Sequence, residues 1–171
     1  MSEVAGRPGG ASPPEEALVL LHRLAPAAGP GAGSGRPGGP PLQLRLTAEE
    51  RTRLRGLRHS VCGRPLLLQL QRQLPLQPGE WLLSDDPAAP PVQVEAAAEA
   101  VLVVRAGEPL ALLQAAYHLG NRHVALQVQA DRLILLADPV LAELLRHRGL
   151  QLEACQAPFL PEGGAYGHHH G

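Results

Sequence analysis

The sequence predicts an α+β protein: a small all-β unit, then a ferredoxin-like βαββαβ unit, then a flexible tail that carries histidines. Three observations carry this reading. Short apolar stretches punctuated by turn residues fill the chain to about residue 95, the pattern of a small all-β unit. From Ala100 to Cys155, strand-like and helix-like patterns follow one another as β-α-β-β-α-β, the order of a split βαβ motif. The chain then runs through a Gly-rich stretch into His168-His169-His170.

The first apolar run, Ala17-Leu-Val-Leu-Leu21, reads two ways. Ser12 as N-cap, Pro13 at the first helical position and Glu15 at capping-box spacing favour a helix. Five apolar residues in a row suit a buried strand equally well, and periodicity does not arbitrate over so short a span. On either side, Gly6–Pro14 and Pro26–Pro41 are dominated by Gly, Pro and Ala, a composition that buries little surface. Leu42–Leu46 alternates Leu with Gln and Arg, as a half-buried strand does. An Arg-rich polar segment follows from Thr47 to Gly56; Arg51–Arg58 is either a contact surface or a solvated charged face, and the solvated face is the commoner case. Arg64–Leu70 and Glu80–Ser84 read as strands around the Pro78-Gly79 turn, and Asp85–Pro91 reads as a loop.

In the second half, Ala100–Arg105 is a strand and Pro109–Leu119 a helix that stops near Gly120. Val124–Gln129 and Leu133–Leu136 are strands around Asp131. Asp138 and Pro139 open a second helix that ends before Gly149. Leu150–Cys155 is the last strand. The expected domains are an extension over 1–15, a β-rich unit over 16–95 with its Gly/Pro-rich loop at 26–41, the βαββαβ unit over 96–158, and the tail over 159–171.

Composition narrows the function. All 15 basic residues are Arg and the net charge is −1, so no concentrated basic field exists to attract nucleic acid or an anionic membrane. A ferredoxin-like sheet that binds RNA needs exposed stacking aromatics, yet the chain holds one Trp, one Phe and two Tyr. No apolar run approaches the ~20 residues of a membrane helix, and the first ten residues lack the apolar core of a signal peptide. A cytoplasmic protein is expected. Cys62 and Cys155 stand far apart with no second Cys nearby, which excludes a CxxC motif and suggests small buried thiols. Ser60 beside His59 is an isolated pair rather than a triad, so no catalytic residue is expected. His22, His59 and His147 read as surface or cap residues, His147 being favoured by the helix dipole at a C-terminal turn.

Two histidine groups remain. His168-His169-His170 can wrap a borderline divalent ion without a preformed cage. His118 and His123 flank a helix end, and their five-residue spacing turns them about 140° apart on an ideal helix. One helix therefore cannot chelate with both. A ligating His123 needs partners from elsewhere, and a two-fold axis supplies its own copy economically.

The segment AAYHLGNRH, at residues 115–123, and the ending FLPEGGAYGHHH closely resemble the UreE family of urease accessory nickel chaperones. The resemblance runs from Ala17 to Gly171, with PGEWLLSDD and VLVVRA in register. It implies a strand over Ala17–Leu24, an N-terminal β domain that binds peptide partners, and a ferredoxin-like domain that dimerises and binds metal. Carried over by position, His123 is the nickel ligand at the dimer interface, with His168, His169 and His170 as tail ligands, and His118 as a motif residue rather than a ligand. Leu136, Ala137 and Pro139 stand where some members carry further metal-binding histidines, so that auxiliary site is not expected here. The cargo implied is Ni(II), with Zn(II) and Cu(II) as competitors. The partners implied are a second copy of the chain, the GTPase-containing urease activation complex and apo-urease. The choice of nickel rests on the resemblance alone, because imidazole affinity peaks at copper. A protein-interaction scaffold, or a general divalent-metal binder, is the alternative.

Overall fold

The computed structural model describes residues 16–29 and 39–163; the proposed caps Ser12, Pro13 and Glu15 and the triplet His168–His170 lie outside them. Eleven strands among the described residues form three sheets.

The apolar run near the N-terminus is extended, not helical: β1 (Leu18–Leu20) and β2 (His22–Leu24) break at Leu21 and join different sheets. β1 pairs in parallel with β5 (Pro65–Gln69), which pairs antiparallel with β4 (Arg55–His59). β2 lies beside β6 (Trp81–Leu83), then β7 (Val92–Ala96), then β3 (Leu42–Leu46). Alternate residues of both sheets point into one Leu/Val core, including Leu20, Leu44, Leu66, Leu68, Leu82 and Val92, each fully buried. Across its edge, Arg23 makes a bidentate pair with Glu80 (both 2.8 Å) and donates to the carbonyls of Leu74 and Pro75. That pair is shielded from water, and its fork geometry satisfies both partners.

Four features of this half depart from the sequence reading. The segment after Leu46 opens a short helix, α1 (Ala48–Thr52), capped by a reciprocal Thr47–Glu50 capping box. Asp85–Pro91 is the expected loop, but it leads straight into a strand that the sequence reading lacks, β7, and the Arg-rich run contributes another, β4. Arg51 is not part of a solvated face: it is 4% exposed. Burial lowers its pKa, opposed in part by the nearby Glu99 carboxylate.

The second half runs β8 (Ala98–Arg105), α2 (Pro109–Gly120), β9 (Gln127–Gln129), β10 (Arg132–Leu136), α3 (Pro139–His147) and β11 (Gln151–Pro158). Its sheet is antiparallel in the order β11-β8-β10-β9. β8 begins two residues before the expected Ala100, β9 three residues after the expected Val124, and β11 continues three residues past the expected Cys155. Asp138 caps α3 by accepting from the Leu141 amide (2.8 Å) with Pro139 behind it, and Gly149 takes the left-handed conformation after the helix. Asp131, in the β9–β10 turn, accepts from Arg132 and Arg105, which hold its carboxyl below the ordinary carboxylate range. That contribution is present above the unfolded-state pKa and is lost as pH falls through the depressed value.

The two faces of this sheet are covered differently. Leu102, Val104, Leu133 and Leu135 face Ala115 and Leu119 of α2 and Ala142 and Leu145 of α3. On the other face Val101, Val103 and Ile134 pack on Phe159, with Ala48 of α1 and Cys155 beside them. Phe159 is 1% exposed and is the largest fully buried side chain among the described residues. Phe159→Ala is expected to cost about 3–5 kcal/mol, the range for emptying a buried aromatic site, read as a lowered urea midpoint at unchanged slope. Neither cysteine is the buried thiol expected: Cys155 is half-buried, and Cys62 is exposed because the Ser60–Gly63 turn at the end of β4 carries it to the surface.

Candidate metal centre

Helix α2 explains where His123 stands. Its end is closed by the Val124 amide donating to the Leu119 carbonyl (3.1 Å) and the His123 amide donating to the Gly120 carbonyl (2.9 Å). This is the Schellman arrangement, whose left-handed residue is usually Gly. That residue here is His123, at φ 57°, the one non-glycine residue with positive φ among the described residues. Left-handed backbone costs an ordinary L-residue about 1–2 kcal/mol, although His tolerates it better than most. A costlier residue at a position Gly would fill freely points to a use for its side chain. His123 is exposed, and its loop projects beyond the helix end.

His118 is placed differently. It lies in the last turn of α2, half-buried, with its ring edge-on to Tyr117 at 5.6 Å between centroids. The two histidines of the motif thus fall on different structures, a helix face and a left-handed turn. Within one chain, no group of three or more His, Cys, Asp or Glu side chains among the described residues is close enough to hold an ion. His22 is exposed and bonded to Asp85, and His59 and His147 are exposed at a strand end and a helix end.

The surface leading to His123 is apolar. α2 is hydrophobic nearly all round: Ala115 and Leu119 face the sheet, while Leu110, Leu113 and Tyr117 point outward at 64%, 68% and 67% exposure. Positions i, i+3 and i+7 fall on one stripe of a helix. A helix with apolar residues on both faces has a second surface to cover. The spacing of Leu110, Leu113 and Tyr117 suited a helix, but these are not the residues that α2 buries against its own sheet.

The sequence profile of the UreE urease accessory protein, C-terminal domain, matches residues 99–171. The urease accessory protein UreE of Parasynechococcus marenigrum (strain WH8102) is 60% identical over 131 residues, covering 76% of this chain and 87% of the relative. The chain belongs to the UreE family. UreE of Synechococcus sp. (strain WH7805) is 62% identical over 74% of this chain and 71% of its own length, and UreE of Thermosynechococcus vestitus is 51% identical over 75% and 88%. Membership of the family makes this an accessory protein of urease. Among the described residues, no helix is long and apolar enough to cross a membrane.

Proposed function

We propose that this UreE protein is a non-catalytic cytoplasmic nickel chaperone, a homodimer that carries Ni(II) between two copies of His123 and hands it on for assembly of the urease active site. The observation that carries the reading is His123 itself, held in a left-handed turn at the end of an outward-facing apolar helix. Pairing two such helices about a two-fold axis covers Leu110, Leu113 and Tyr117 and brings the two His123 loops to the same interface. Residues 96–158 form the ferredoxin-like unit that dimerises and holds metal in this reading, and residues 16–95 form the unit that meets protein partners. Those partners are the urease activation complex with its GTPase and, through it, apo-urease.

The chemistry is ligand exchange. Two His123 imidazoles supply a pair of nitrogen ligands, and imidazoles from His168, His169 and His170 complete the set. Each tail ligand is tethered and so present at high effective concentration, yet each lets go singly, which suits release. Imidazole ligates only when neutral, so binding weakens as pH falls through the histidine range. Zn(II) and Cu(II) compete for the same nitrogens.

Calorimetric titration of the untagged protein, with light scattering on the same sample, tests this. One tight Ni(II) per two chains is the expected stoichiometry. Tight binding of one ion to each separate monomer, or no nickel binding at all, overturns the reading.

A further inference from the structure

The last strand, β11, is one edge of its sheet, and β9 is the other, three strands away. At ~4.8 Å per strand that is about 14 Å. A chain leaving β11 directly would start its tail on the wrong side of the sheet for His123, which precedes β9. It does not leave directly. After Pro158 the chain crosses beneath the sheet: Phe159 is buried against Val103 and Ile134. The Phe159 carbonyl accepts from the buried Arg51 guanidinium (2.7 Å). The Leu160 amide then donates to Gln127 Oε1 (3.0 Å), and the Glu162 amide donates to the Leu126 carbonyl (2.7 Å). The Glu162 carboxylate accepts from the Val128 amide in return (3.4 Å).

We propose that Phe159–Glu162 is a strap that carries the chain across the sheet and fixes the root of the histidine tail beside His123, with Gln127 and Glu162 as positioning residues for metal binding. Leu126 is three residues from His123, at most about 11 Å along the chain. Five residues, Gly163 to Gly167, separate Glu162 from His168, so His168 lies no more than about 22 Å from its anchor, the span of a fully extended chain. The root of the tail is therefore already on the side of the sheet from which His123 projects. Its ligands reach the interface without the long span that a root at the β11 edge would require. The inference rests on the proposed metal-carrying role of His123 and the tail.

The test combines the pair Gln127→Ala and Glu162→Pro, which removes the side-chain acceptor and the amide donor, with truncation after Gly167. Nickel titrations on all four chains are read as a cycle, and amide exchange of metal-free wild type is measured alongside. In the full-length chain the paired substitution weakens nickel binding about three- to tenfold, because the effective concentration of tail ligands falls with tether length and offset. In the truncated chain the same substitution changes affinity less than twofold, which a purely structural role does not predict. Equal loss in both backgrounds overturns the proposal, as does no loss in either while truncation itself weakens binding. Free-peptide exchange at the Glu162 amide overturns the strap whatever the metal does. If truncation leaves wild-type affinity unchanged, the positioning role falls together with the tail's part in the site, whereas His123→Ala still decides the interface site separately.

Discussion

Replacing His123 by Ala removes the tightest nickel site, with the dimer intact and the fold retained. The side chain is exposed, and among the described residues the bond His123 makes in closing α2 is through its backbone amide. In the proposed dimer one substitution deletes two ligands. Losing a residue that merely supports a metal ligand costs about 10- to 100-fold in affinity, so losing both symmetric ligands costs more than about 100-fold. His123→Gly sharpens the result. Gly takes φ 57° without strain, so stability is unchanged or raised by up to about 1 kcal/mol, while nickel binding is lost as completely as with Ala. Calorimetric titration and thermal unfolding of both variants measure the two effects together. If either variant binds nickel like the wild type while a chain ending at Gly167 binds none, the tail alone is the metal sponge and the interface site is wrong.

Much of the second half was legible because its elements carry their own punctuation. Pro109, Asp138-Pro139 and Gly149 mark helix ends by local chemistry, and Val/Leu/Ile runs mark β8 and β10. Boundaries slipped where composition turns bland: Ala98–Ala100 and Gln156–Pro158 become strand only because each pairs with the other across β8 and β11. The first half was harder. Arg55-Gly-Leu-Arg-His has no alternating apolar pattern, and it is a strand because β5 offers it a partner. The Thr47–Glu50 capping box was present in the sequence and marks α1, but five residues give little periodicity to find. Arg51 carries the sharpest contrast. A run of arginines looks solvated, yet this one is inserted between α1 and a carbonyl 108 residues away, a relation that no local pattern encodes.

His123 was singled out by its motif and its place at a helix end, and the structure adds the reason it is unusual there. The left-handed turn becomes visible only when the Leu119 and Gly120 carbonyls are seen to close on Val124 and His123. Gln127 and Glu162 gave no signal of their own. A glutamine and a glutamate matter here because the chain crosses the sheet between them, and that crossing is set by Phe159, the single Phe in the sequence.

Leu113→Asp splits the dimer and weakens nickel binding without unfolding the chain. Leu113 is 68% exposed on the outer face of α2 and contributes nothing to the core beneath it, so the monomer tolerates the carboxylate at a cost of a few tenths of a kcal/mol in helix propensity. In the proposed dimer the same carboxylate is buried near its symmetry mate against Leu110 and Tyr117. Burying unpaired charge costs several kcal/mol, and every 1.4 kcal/mol is tenfold in dissociation constant. A rise of about a thousandfold or more in that constant is expected, measured by light scattering across a dilution series, with circular dichroism reporting the retained fold. Separation also parts the two His123 side chains, so nickel affinity falls with the dimer and returns as protein concentration is raised. That concentration dependence distinguishes a site shared between two chains from one held within each. A Leu113→Asp protein that remains dimeric shows that the outer face of α2 is not the interface, and a monomer that binds nickel as tightly as the wild type shows that two chains are not needed to hold the ion.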